Sequence, residues 1–161
     1  IVVAVQGAAI GGGLGLSLVG DFRVAAPEAR FSANFTRLGF HPGFGLTYTL
    51  PRLIGEQKAA MMFYTSRRVS GEEALAMGLC DVLVPLPEVR TKAQALAAEI
   101  AENAPLAVQA TRATARAGLA DKIKAQTDHE LKLQSELRTS SDFKEGVKAY
   151  SERRTPNFTG R

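Results

Sequence analysis

The chain opens on an unbroken apolar run, Ile1-Val-Val-Ala-Val5, the pattern of a strand covered on both faces. Such a strand needs neighbours on either side. Few other strand candidates follow, so partner strands are expected upstream and the chain reads as the C-terminal portion of a larger domain. Gln6 to Gly13 reads as a loop that leads into a short helix, Leu14 to Val19. Asp21 to Ala26 is a second strand, Pro27-Glu28 a turn, and Arg30 to Ala33 a third, short strand. The rhythm is βαβ.

A second loop opens at Pro42, Gly43 and Gly45, followed by a helix from Leu46 to Leu53 with Gly55 just past its end. Glu56 to Tyr64 is helical. Ser70-Gly-Glu-Glu73 has the form of a capping box, in which a serine hydroxyl and a glutamate carboxylate each satisfy a free backbone amide of the other residue. The helix it starts stops near Gly78, and Cys80 to Val84 returns as a strand before Pro85 and Pro87. From Glu88 onward apolar residues recur at helical spacing in three or four stretches, broken near Asn103-Ala-Pro105, Gly118 and Ser140-Ser141. The expected organisation is an α/β core portion over 1–87 and a helical region over 88–161.

Composition narrows the classes. The chain has 161 residues, 45% apolar and 22% charged, which suits one globular domain with a core and excludes disorder. The formal charge of +4 comes from Lys and Arg alternating with Asp and Glu along helical faces, with no basic block, so no nucleic-acid partner is expected. The first twenty residues are uncharged, yet three successive glycines, the Gln6-Gly7 interruption and the lack of basic flanks argue against a membrane span or a signal peptide. One cysteine, Cys80, can form neither an internal disulfide nor a metal cluster, and His41 and His129 lie far apart in sequence, so no metal site is expected. A reducing cytoplasm fits.

Four ordered segments carry a resemblance. They are Ala9-Ile-Gly-Gly-Gly13 with Gly20-Asp-Phe-Arg-Val-Ala25; Phe31 through Gly55, including Leu38-Gly-Phe-His-Pro-Gly-Phe-Gly45; Ser70 through Leu83; and Asp142-Phe-Lys-Glu-Gly146 with Glu152 through Phe158. In order and spacing the chain resembles the crotonase (enoyl-CoA hydratase/isomerase) family. A dinucleotide site at Gly11 to Gly15 fits poorly, because no Gly-x-Gly-x-x-Gly spacing, no Lys-Ser/Thr and no suitably placed acidic residue accompany it.

The resemblance implies an α/β fold, a crotonase-like spiral of βαβ units with a C-terminal helical region that mediates trimer formation. It implies an acyl-CoA substrate, no cofactor beyond the coenzyme A carried by that substrate, and a homotrimer or dimer of trimers. Gly12, flanked by Gly11 and Gly13, would supply one amide of an oxyanion hole for a thioester enolate, since residues without side chains let the backbone approach the oxygen. Arg153 stands where a family lysine binds coenzyme A phosphates from a neighbouring subunit.

Against the family's pattern, the two glutamates that hold water and pass protons in its hydratases are missing: Gly15 falls at the first position and Phe35 at the second. An acid that family isomerases carry inside the second loop is replaced by Gly43. His41 is the one titratable side chain of that loop and the candidate acid or base. Phe40, Pro42, Gly43 and Phe44, with Tyr48, are expected to shape an acyl pocket. The expectation is therefore an acyl-CoA enzyme that stabilises an enolate but hydrates poorly. The alternative is a non-catalytic acyl-CoA-binding or structural paralogue.

Overall fold

The computed structural model describes residues 1–161. In chain order it contains β1 (Val2–Val5), β2 (Ala8–Ile10), α1 (Gly12–Ser17), β3 (Phe22–Ala25), β4 (Arg30–Ser32), α2 (Leu46–Ile54), α3 (Glu56–Thr65), β5 (Val69–Ser70), α4 (Gly71–Met77), β6 (Val82–Leu83), α5 (Val89–Ala101), α6 (Pro105–Ala115), α7 (Leu119–Leu137) and α8 (Ser141–Ser151). The strands form two small sheets. One runs β1-β3-β6, all parallel; the other runs β2-β4-β5, with β2 and β4 parallel and β5 antiparallel to β4. Odd and even strands thus alternate between sheets over the first four, so the chain steps from one sheet to the other across the Gln6-Gly7 and Pro27-Glu28 turns.

The helical expectations match the structure where local signals are strong. The Ser70 hydroxyl accepts from the Glu73 amide and the Glu73 carboxylate accepts from the Ser70 amide, completing the capping box. Gly55 and Gly78 end their helices at φ 82°, which only glycine adopts readily. Helices α5 to α8 break where the sequence breaks.

Two expectations need correction. The stretch read as a loop from Gln6 to Gly13 contains β2, a strand of three residues too short to show a period; its parallel pairing with β4 makes it one. The helix after it starts at Gly12 and ends at Ser17, because Gly11, at φ 57°, turns the chain before the weakly helical glycines. Within residues 1–161 β1 pairs on one side only, with β3, and buries Val5, with Val2 and Val3 half-buried and Ala4 exposed.

The main core is built from Leu14, Phe31, Leu46, Leu50, Met62 and Leu79, all fully buried. A second cluster joins Val24 and Ala26, at the end of β3, to Val89 and Ala93 of α5, so packing continues across residue 87. Arg23 is buried between them. Its guanidinium donates to the carbonyls of Leu79 at 2.8 Å and Gly20 at 3.2 Å, tying the end of α1 to the strand that follows.

Candidate functional site

The glycine turn is held from below. The Gly11 amide donates to the Ser32 carbonyl of β4 at 2.8 Å, and the Gly15 amide closes the first helical turn on the Gly11 carbonyl at 3.2 Å. Gly12 and Gly13 therefore open α1, where amides have no acceptor within the helix. Gly13 is exposed and has open space at its missing side chain, whereas Gly11 is buried and a side chain there would meet Asn34 Oδ1 at 3.1 Å.

Two phenylalanines wall this turn. Phe35 lies beneath it, its ring 3.7 Å from where a side chain on Gly11 would begin. Phe44 lies over α1: a Cβ on Gly12 would sit 3.3 Å from its ring, and a Cβ on Gly15 would sit 2.5 Å from Phe44 Cβ. The space a side chain at position 15 would need is already filled. Beside Gly15 and Phe44 opens a cavity of about 510 Å³ with Leu18, Leu53 and Ile123 on its apolar side.

The ionisable residues of that cavity are Asp21, Arg23, Arg52, Arg112 and Arg116. Asp21 is not free to act as a base. Burial opposes its charge, but Arg112 Nε donates to it at 2.9 and 3.0 Å and Arg116 lies 3.5 Å away, and these guanidiniums hold its carboxyl ionised.

Phe44 has φ 68° and the following Gly45 φ 67°. A left-handed phenylalanine is strained, and the surrounding structure must enforce it. That structure is α7. Glu130, 1% exposed, accepts from the Gly45 amide at 2.7 Å, the Thr47 amide at 2.9 Å and the Thr47 hydroxyl at 2.6 Å. Gln126 donates to the Thr47 hydroxyl and Gln134 to the His41 carbonyl, at 2.8 and 2.9 Å. Gln134 also occupies the space beside Gly43, where an added Cβ would lie 2.5 Å from its Nε2.

The remaining site residues go elsewhere. Phe40 stacks edge-on between Phe35 and Phe143, each pair at 5.4 Å, and so joins the glycine turn to α8. Pro42 is buried, and His41 Nδ1 donates to its carbonyl at 2.7 Å. The carbonyl can only accept, so Nδ1 carries the proton and Nε2 of the neutral ring remains the acceptor. His41 lines a different cavity, about 580 Å³, with Thr36, Glu56 and Tyr64. Its ring lies 6.5 Å from that of His129, so the two histidines far apart in sequence are neighbours in space.

Arg153 sits at φ 56° after α8 and lines a cavity of about 530 Å³ with Arg37, Arg68 and Arg154 and no acidic residue. Arg154 is engaged by Glu145 and Glu152; no carboxylate pairs with the other three. The sequence singled out Arg153 alone. Neither the partners Arg37 and Arg68 nor the clamp Glu130 carried a sequence signal: Arg37 sits in a short 3₁₀ helix, Arg68 in the segment before β5, and Glu130 in the charged run Asp128-His-Glu130.

The profile of the enoyl-CoA hydratase/isomerase family matches residues 1–161. The "Probable enoyl-CoA hydratase" of Rhodobacter capsulatus is 40% identical over 161 residues, covering all of this chain and 63% of that protein. The crotonyl-CoA hydratase of Syntrophomonas wolfei is 35% identical over 158 residues, 98% of this chain and 61% of its own length. Among solved structures, the carnitinyl-CoA hydratase of Mycobacterium avium superposes with a TM-score of 0.92 at 31% identity, over 99% of this chain and 62% of the other. The chain thus spans just over six-tenths of the length of these relatives, 61% to 63%.

Proposed function

This chain belongs to the enoyl-CoA hydratase/isomerase family, and we propose that it binds an acyl-CoA thioester and holds the enolate formed from it against the amides that open α1. The observation that supports this is the turn at Gly11 and Gly12: the Gly11 amide is spent on Ser32, while the helix-opening amide of Gly12 has no intrahelical acceptor and its residue carries no side chain of its own. A thioester oxygen that accepts from Gly12 gains most as charge develops on it, and the rings of Phe35 and Phe44 exclude water that would weaken the bond.

The same walls argue against fast water addition. Hydration needs one group to deprotonate water and another to protonate carbon, and neither Gly15 nor Phe35 can do either. Loss of each role costs about 10² to 10⁴ in rate, without simple additivity. Proton transfer or carbon–carbon chemistry suits this apolar site better. A second reading, an acyl-CoA-binding protein without turnover, draws on the Asp21–Arg112 pair, which ties up the one carboxylate beside Gly15.

For coenzyme A itself, the cavity lined by Arg37, Arg68 and Arg153 suits phosphates, since several guanidiniums without a carboxylate among them favour an anion. Assembly as a homotrimer or dimer of trimers in the cytoplasm completes the proposal.

The test is spectroscopic. An aryl-enoyl thioester of coenzyme A, titrated into the full-length protein, is expected to bind and to shift its absorption to the red as the carbonyl is polarised. Gly12→Pro, which removes the amide hydrogen at a position where helices accept proline, should abolish the shift. Binding without any shift in the parent protein would remove the oxyanion role. Arg153→Ala should weaken binding at low salt, and unchanged affinity would remove Arg153 from the site. Crotonyl-CoA turnover as fast as that of an efficient hydratase would overturn the reading of Gly15 and Phe35.

A further inference from the structure

Resting on that reading of the site, we infer that Glu130 is a positioning residue that holds Phe44 over α1, and that Phe44 so held limits the girth of the acyl group the site accepts. Three observations converge. Phe44 is 57% exposed despite lying against Gly12 and Gly15, so it is not core; its outer face is free to meet a ligand. Its backbone is left-handed, a conformation that a phenylalanine leaves unless neighbours enforce it. The enforcing contacts all come from one face of α7, where Gln126, Glu130 and Gln134 recur at every fourth residue and each bonds to the second loop or the first turn of α2, between His41 and Thr47.

Glu130 is central among them. Its two oxygens take three donors: Oε2 accepts from Gly45, and Oε1 accepts from both the amide and the hydroxyl of Thr47. Thr47 in turn accepts from Gln126, so its hydroxyl is locked in both directions. A carboxamide cannot reproduce this set, because its NH₂ would face a donor where an oxygen now accepts. The residue next to Phe44 is therefore fixed through a side chain 85 positions later in the chain. Close packing continues the grip: a side chain on Gly45 would meet Ile123 at 3.0 Å and Thr127 at 3.3 Å.

The consequence is selectivity. With Phe44 in place, a ring narrows the space beside Gly12 and Gly15, so a branched or aromatic acyl group would meet it and a narrow straight chain would pass.

The experiment measures a ratio of affinities, butyryl-CoA against phenylacetyl-CoA, by calorimetry on the full-length protein. Phe44→Ala should shift the ratio toward phenylacetyl-CoA by about tenfold, the scale on which hydrophobic pockets discriminate. Glu130→Gln should shift it in the same direction, and the double variant should shift it no further than Phe44→Ala alone. A general loss of stability lowers both affinities together and leaves the ratio unchanged, so a ratio unmoved by Glu130→Gln overturns the positioning role. A ratio unmoved by Phe44→Ala overturns the selectivity role. If Glu130→Gln does not fold, Thr47→Val removes one donor while leaving the carboxylate in place, and it should give a smaller shift of the same sign; no shift overturns the proposal. Failure of the parent protein to bind either thioester refutes the acyl-CoA reading itself, an outcome distinct from an unaltered ratio.

Discussion

Placing a glutamate at position 15 puts a carboxylate beside the turn that opens α1, yet the folded chain has no room for it. The first carbon of that side chain would lie 2.5 Å from Phe44 Cβ, so Gly15→Glu alone should cost about 1–3 kcal/mol of stability, measured by denaturant titration, and add no hydration. Combined with Phe44→Ala it should recover stability; a Gly15→Glu variant as stable as the parent would show that Phe44 yields freely. Cys80 offers a second test. Burial, with help from Asp81, pushes its thiol up to about 11 from an ordinary 9.0. At pH 8 only on the order of a thousandth is thiolate, so a disulfide reagent should leave the native protein unlabelled and label it on unfolding. Because the unfolded chain releases this proton first, stability should fall as pH rises from about 9 toward 11. At this scale the sequence was informative about which residues matter and silent about what surrounds them. Gly12 and Gly15 could be singled out from their neighbours in sequence, but Phe44 filling the space over Gly15 depends on a left-handed phenylalanine that no local pattern signals. Glu130 reads as surface in its charged run and is buried only because α7 lies against the second loop.

Elements with local signals were legible and those that exist through pairing were not. The capping box at Ser70, the glycines at 55 and 78 and the breaks at 103–105, 118 and 140–141 each act within one turn of chain, so the helices follow from them. β2 and β5 have three and two residues, and only β4 between them makes them strands. The segment after α8 shows how side chains can hold a stretch without regular structure. The Glu145 carboxylate accepts from Arg154 and from the Asn157 amide, and Asp142 accepts from the amides of Thr159 and Gly160. The Arg154 guanidinium above all holds Glu145 down to about 2, and the Thr159 amide above all lowers Asp142. Both carboxyls are lowered in the folded state, so their contribution is complete above the ordinary values of 4.5 and 3.8 and is lost as pH falls through the lowered ones. Amide exchange at Asn157, Thr159 and Gly160 should therefore lose protection as pH falls toward 2 while the α2 core amides keep theirs; loss at pH 5 would contradict the assignment.

For the whole molecule, the βαβ rhythm was enough to anticipate an α/β fold, but the alternation of strands between two sheets was not, since it depends on tertiary pairing. Apolar side chains remain on the surface after the core is complete: Leu16 is 63% exposed, Leu106 79% and Leu131 58%. Scattered singly such residues are ordinary, but spread over α1, α6 and α7 they offer surface for subunit contact. Light scattering of the full-length protein at micromolar concentration should return the mass of a trimer or its double, and a monomer would remove the assembly from the proposal. The grip of Glu130 on Gly45 has a further consequence, in time. The second loop leaves the ribosome with its clamp still unmade, and at about 5 to 20 residues per second the 85 intervening residues take roughly 4 to 17 s to synthesise. A chain released before Glu130 should show the Gly45 and Thr47 amides exchanging freely with solvent. During synthesis, then, the glycine turn can already be seated on β4 while the wall over it is still loose, and that wall firms up only once α7 has been made.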